Sequence, residues 1–164
     1  MKVKQFSMLF LAGLLWLVSC KKDDMPATTG HYTEGVFVVN EGPFGGTGAI
    51  TWHNPETGET VQDVFGQANN GAVLGAFVQS LTLHNGKAYI VVNGANKIVV
   101  VDAVTFVLES VIEGFELPRF FFPLDNERAL VSQWGADGLT GSIAAIDLTT
   151  KQIISTAPAG KGPE

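Results

Sequence analysis

Residues 84–112, HNGKAYIVVNGANKIVVVDAVTFVLESVI, form an apolar run broken only by Asn85-Gly86, a short loop and a second turn. Asn-Gly between alternating apolar residues is the strongest short-range signal of a two-residue hairpin. The flanking runs are rich in Val and Ile and lack a 3.6-residue period, so they read as strands. Within the unit the first strand is expected over Val78–His84, the second over Lys87–Val92, the third over 97–103 and the fourth over 107–112. Such strands are apolar on both faces, and the chain offers no long amphipathic helix to cover them. They must therefore pack between copies of the same sheet.

Copies are present. Segments starting at Gly35, Gly86 and Glu127 share an apolar run, a Gly/Asn-rich loop and a second apolar run ending in Asn54, Asp102 or Asp147. Thr57, Thr105 and Thr150 follow three positions later, a pattern in which the acid or amide accepts hydrogen bonds from the turn's own backbone. The turn residues recur at 48 and 45 residues. A period in the forties with about four strands per unit is that of a β-propeller blade. The fold class is therefore all-β, a propeller of four-stranded antiparallel blades. In the last unit the first strand is expected over 119–124 and the second over 128–133, with Pro123 suited to an edge strand.

Blades are placed at about 35–65, 78–115 and 119–158, and 159–164 looks like the start of another, since GKGPE resembles the FELPR that opens the preceding first strand. Closed propellers have four to eight blades. The expectation is an incomplete ring, the N-terminal part of a longer protein, whose first unit lacks its own first strand.

Composition agrees with this reading. The 164 residues are 46% hydrophobic and only 16% charged, with 19 glycines, which suits strands and tight turns rather than coiled coil or disorder. A net charge of −6 leaves no basic footprint for nucleic acid. At the N-terminus, Lys2 and Lys4 precede an apolar segment, 8–18, too short to span a bilayer. LVSC, ending in Cys20, looks like a bacterial lipobox, giving a signal peptide over 1–19, lipid attachment at Cys20 and a tether over 20–34. KKDD at 21–24 resembles the lysine-plus-acid tag that sends lipoproteins to the outer face in one phylum of Gram-negative bacteria. The expected location is the outer membrane, surface-exposed, with the membrane reached through the lipid anchor alone. A lone cysteine excludes an intrachain disulfide.

In a propeller the loops joining second to third strands and those linking blades share one face. On it this chain places Asn40, Glu41, Phe44, Gln79, Asn93, Asn96, Arg119, Gln133 and Trp134. Aromatics, amides and one cation suit an uncharged or zwitterionic ligand. Taken singly, each is better explained as a turn former or as blade packing; together on one rim they form the candidate binding site. GPFGGTG lacks the Gly-Lys-Ser/Thr ending of a phosphate loop and precedes a strand, not a helix. His31, His53 and His84 show no metal-ligand spacing, and the ADG around Asp137 lacks the further acids of a calcium loop. Phe120 and Phe122 fall on one side of a strand and Phe121 on the other, as inter-blade core. No Ser-His-Asp set or close carboxylate pair shares a face, so no catalytic residue, metal or cofactor is expected.

The stretches VFVVNEG, FGGTGAITWHNPETGE, VQSLTLHNGKAYIVVNGANKIVVVDA, PRFF, VSQWG, AIDLTTKQI and GKGPE cover nearly all of the chain after the tether. Together they resemble YncE-like surface lipoproteins with seven-bladed propellers. The branch they look most like includes corrinoid-capturing propellers that sit on a TonB-dependent cobalamin transporter. The resemblance implies capture of a small nutrient, cobalamin first, for such a transporter. It carries no corrin contact over residue by residue. The alternatives are a propeller that holds a protein or glycan partner, and, last, a propeller enzyme such as a lactonase or lyase.

Overall fold

A computed structural model describes residues 32–164. The signal segment, Cys20, most of the tether and His31 lie outside the described residues. Three antiparallel sheets follow one another along the chain. The first holds β1 (Val36–Asn40), β2 (Ala49–His53) and the two-residue β3 (Thr60–Val61). The second holds β4 (Val78–His84), β5 (Lys87–Val92), β6 (Lys97–Asp102) and β7 (Leu108–Glu113) in sequential order. The third holds β8 (Pro118–Pro123), β9 (Arg128–Gln133), β10 (Gly141–Asp147) and β11 (Gln152–Gly160), again in order. Stacked meanders of this kind are the blades of a β-propeller, and the chain is a partial one.

The central blade shows why its strands are apolar throughout. Along β5, Ala88, Ile90 and Val92 enter a core shared with Ile50 and Trp52 of the first blade. The intervening Tyr89 and Val91 enter a second core with Phe121, Val131 and Ala144 of the third. β6 divides likewise, Val99 and Val101 to one side, Ile98 and Val100 to the other. Tyr89 lies flat on Phe121, ring centroids 4.2 Å apart and planes 8° from parallel. Burial of each such Val or Ile contributes about 1.5–3 kcal/mol, so alternation along one strand joins three blades.

Turn chemistry follows the repeated acids and amides. Asn85 and Gly86 both have positive φ, 48° and 74°, as the two-residue turn requires. Asn54 Oδ1 accepts from the N–H groups of Glu56 and Thr57, Asp102 Oδ1 from Val104 and Thr105, and Asp147 Oδ1 from Thr149 and Thr150. The Thr105 N–H and hydroxyl hold the Asp102 carboxyl below the usual carboxylate range, and the Thr150 N–H does the same for Asp147. Asp125 and Asp137, outside the repeat pattern, close turns in the same way.

Two features depart from the sequence reading. A five-residue helix, α1 (Val64–Ala68), sits in the connection between the first two blades and buries Val64 and Phe65 in their shared core. It is too short to register as a helical period. Just after it, Asn69 donates to the carbonyls of Phe65 and Phe106 and accepts from Leu108 N–H, pinning the connection to the second blade. The second departure concerns β8. Phe121 is buried between blades, but Phe120, Phe122 and Leu124 are 41%, 64% and 51% exposed, because no sheet of the described residues covers that face.

Candidate functional site

The two complete blades begin with the same backbone device. Phe77 and Leu117, each two residues before the side chain of interest, take positive φ values of 54° and 52°. A bulky residue in that region is strained and persists only where its surroundings hold it. Phe77 O accepts from Asn93 N–H and Ala76 O from Gly94 N–H. One blade later Leu117 O accepts from Trp134 N–H and Glu116 O from Gly135 N–H. Each second-to-third-strand loop thus clasps the start of its own blade.

Directly after the strained residue the pairing register slips, between Val78 and Ser80 in β4 and between Pro118 and Phe121 in β8. A bulge re-aims the side chain it carries. Those side chains are Gln79 and Arg119, and they meet: Arg119 Nη1 donates to Gln79 Oε1 at 2.7 Å. Gly162-Pro163-Glu164 repeats Leu117-Pro118-Arg119, with Gly162 at φ 56°. Glu164 Oε2 and Oε1 accept from Arg119 Nε and Nη2 at 3.2 and 3.0 Å. One face of the guanidinium rests on Trp134, its Cζ 4.0 Å from the ring centroid. An amide and a cation on the first strands of the two complete blades thus form a hydrogen-bonded arc with an acid at the corresponding place after β11. The two-point fork and the indole face together fix the guanidinium plane.

The other rim residues have different placements. Asn93 Nδ2 donates to Pro118 O, Asn96 Oδ1 accepts from Leu117 N–H, and Gln133 Oε1 accepts from Glu116 N–H while its Nε2 donates to Ser142 Oγ. All three brace the strained loop at 116–118 and so position Arg119. Asn40 Nδ2 is engaged with Thr51 Oγ1, and Glu41 contributes its carbonyl to Val78 N–H. Phe44 is 96% exposed, its ring 6.2 Å from Phe77. Gln79, Arg119 and Trp134 therefore converge, Phe44 stands beside Phe77, Asn93, Asn96 and Gln133 hold backbone, and Asn40 bonds Thr51. Glu164 was absent from the sequence-derived rim. The likeness of GKGPE to FELPR, which places Pro163-Glu164 on Pro118-Arg119, was the signal that could have found it.

Among the described residues no three His, Cys, Asp or Glu side chains lie close enough to hold a metal ion, and no helix is long and apolar enough to cross a membrane. His53 Nδ1 is bonded to Thr60 Oγ1, and His84 Nε2 reaches the Asp125 carbonyl. The arc is suited to holding a polar group by hydrogen bonds and charge.

Comparison with solved structures gives the same architecture. A quinoprotein alcohol dehydrogenase-like protein from Bacteroides thetaiotaomicron VPI-5482 superposes with a TM-score of 0.57 at 19% identity, over 80% of this chain and 30% of that one. Hydrazine synthase of Kuenenia stuttgartiensis superposes with a TM-score of 0.58 at 13% identity, over 76% of this chain and 34% of that one. At such identity the likeness is one of fold, and a propeller fold by itself does not indicate catalysis. The chain spans about a third of the length of these two structures. No curated protein matches it. Residues 34–161, nearly all of the described chain, match a single domain family, and the protein belongs to it: the family described as a domain of unknown function, DUF5074.

Proposed function

We propose that this chain is the N-terminal part of a YncE-like, seven-bladed surface lipoprotein that captures a small nutrient on one rim of its propeller. The nutrient we favour is a corrinoid, cobalamin, passed to a TonB-dependent transporter in the outer membrane to which the protein is anchored through Cys20. The observation that carries the reading is the preformed arc of Gln79 and Arg119 on Trp134, held by strained and braced backbone. A site that is ordered before the ligand arrives loses little entropy on binding. Corrinoids carry amide side chains and an extended polar edge, which match amide, guanidinium and aromatic groups spread over several loops.

Phe44 supports a second reading. An aromatic ring almost wholly in solvent beside Phe77 suits a macromolecular partner, protein or glycan, that would cover it. Titration of the full-length ectodomain with cyanocobalamin, followed by calorimetry, separates the two. Saturable binding that weakens at least tenfold in Trp134→Ala supports capture. Absence of heat, together with binding of a surface glycan or of an outer-membrane barrel, supports the second reading.

A further inference from the structure

We infer that the propeller is held to the membrane by the face opposite its rim, so that Gln79, Arg119 and Trp134 are turned away from the lipid. The inference rests on the lipid anchor at Cys20 proposed above, but not on the identity of any ligand. What carries it is the docking of Tyr32, the first residue described. Tyr32 is 6% exposed, its ring centroid 6.4, 5.4 and 5.7 Å from those of Phe37, Trp52 and Phe106. Phe106 belongs to the second blade, as does Val104, whose carbonyl accepts from Tyr32 N–H at 2.9 Å. The incoming chain is thus fastened into the joint between two blades before β1 begins.

The link from Tyr32 into β1 is equally constrained. Gly35 has φ 147°, and a Cβ there would lie 2.5 Å from His53 O and 2.6 Å from Trp52 Nε1. Only glycine lets the main chain pass so close to the indole. None of these contacts involves a residue after Phe106, so they belong to the first two blades alone. β1 then separates the two faces. Its far end leads to Glu41 on the rim, whose carbonyl accepts from Val78 N–H, one residue before Gln79. Its near end lies with the turns closed by Asn54 and Asp102: Val36 pairs with His53, and Tyr32 bonds a carbonyl inside the Asp102–Thr105 turn. Five residues of strand put about 15 Å between these ends.

Cys20 and Tyr32 are 12 positions apart, so the tether reaches at most about 40 Å. With the turn face toward the lipid, none of that length is spent on the blade. With the rim toward the lipid, the tether has to run back along the full height of the blade before it reaches the bilayer. Capture therefore takes place on the side open to the medium, and hand-over to a barrel in the same membrane calls for a pivot of the propeller on its tether.

The test uses the full chain, lipidated and reconstituted in phosphatidylcholine vesicles. Acylation consumes the Cys20 thiol, so a maleimide donor dye reads a single added cysteine, Glu56→Cys on the turn face or Phe44→Cys on the rim. A short-range acceptor is carried on a lipid headgroup. Glu56→Cys should transfer energy about twofold or more as efficiently as Phe44→Cys, since β1 and its loops stand between the two positions. Inserting about 20 Gly and Ser residues between Asp24 and Met25 should bring the two efficiencies close to equality, because the longer tether no longer selects a face. Equal or reversed efficiencies in the parent, or a difference that the insertion leaves unchanged, would overturn the inference while the anchor stands. Flotation with the vesicles is scored beforehand, and a chain that fails to float refutes the anchor and the orientation together.

Discussion

Replacing Thr82 by Val tests the way the blades are joined. On β4, Ser80, Thr82 and His84 project toward the third blade at every second position. Ser80 Oγ donates to Arg119 O at 2.8 Å, Thr82 Oγ1 to Phe121 O at 3.0 Å, and His84 Nε2 lies 3.0 Å from Asp125 O, which fixes the Nε2–H tautomer. β8 is the edge strand of its sheet, and Asp125 lies in the turn that follows it. Three polar side chains therefore bond main-chain carbonyls along the first strand of the next blade and the turn after it. Valine has the shape of threonine without the donor, so the change removes one hydrogen bond to the carbonyl of a buried residue. The expected loss is about 1 kcal/mol, within a range of about 0.5–1.5. Ser80→Ala should cost a similar amount, and the double variant about 2 kcal/mol, with coupling of a few tenths because the bonds share one strand. Urea unfolding followed by circular dichroism measures this as a lower midpoint at unchanged slope. Thr149→Val, at an exposed turn where only the backbone is bonded, is the control and should stay within about 0.5 kcal/mol. A Thr82→Val variant no less stable than Thr149→Val would refute the ladder and, with it, this packing of first strand against first strand.

Three further outcomes follow from the same geometry. Gly86→Ala should destabilise by about 1 kcal/mol in the same urea assay through backbone conformation alone, since φ is 74° and a Cβ there would meet nothing within 4 Å. The Asp102 carboxyl is held below the usual range by Thr105, so its contribution to stability is present above about pH 4 and lost as pH falls through the depressed folded value. Thermal midpoints of Asp102→Asn taken from neutral to strongly acidic pH should therefore fall less steeply below about pH 4 than those of the parent. Replacing exposed Phe120 and Phe122 by Ser should lower 1-anilinonaphthalene-8-sulfonate fluorescence of the chain and leave its stability within about 1 kcal/mol, because these rings form an uncovered apolar row.

The blades could be read in the sequence because their determinants are local. Asn85-Gly86 sets a hairpin by itself, and Asn54, Asp102 and Asp147 each close a turn with N–H groups two and three residues away. The double-sided apolar character of residues 87–102 then demands a sheet on either side. The arc could not be read the same way. It depends on register slips and on positive φ at Phe77 and Leu117, positions where local preference alone would call for glycine, as at Gly162. It also depends on which amides face backbone. Asn93, Asn96 and Gln133 look like ligand groups by type, yet their side chains hold the loop at 116–118.

That division explains why the repeat discloses the fold more readily than the ligand. Register slips and clasped αL residues recur in the blades and are secured by main-chain bonds, so the side chain presented after them is not needed for folding. At that one position the two complete blades carry Gln79 and then Arg119, a neutral amide and a cation on the same backbone. Each can change without disturbing the sheet that presents it. Two proteins with the same blade pattern can therefore display different side chains at this position without a change of fold.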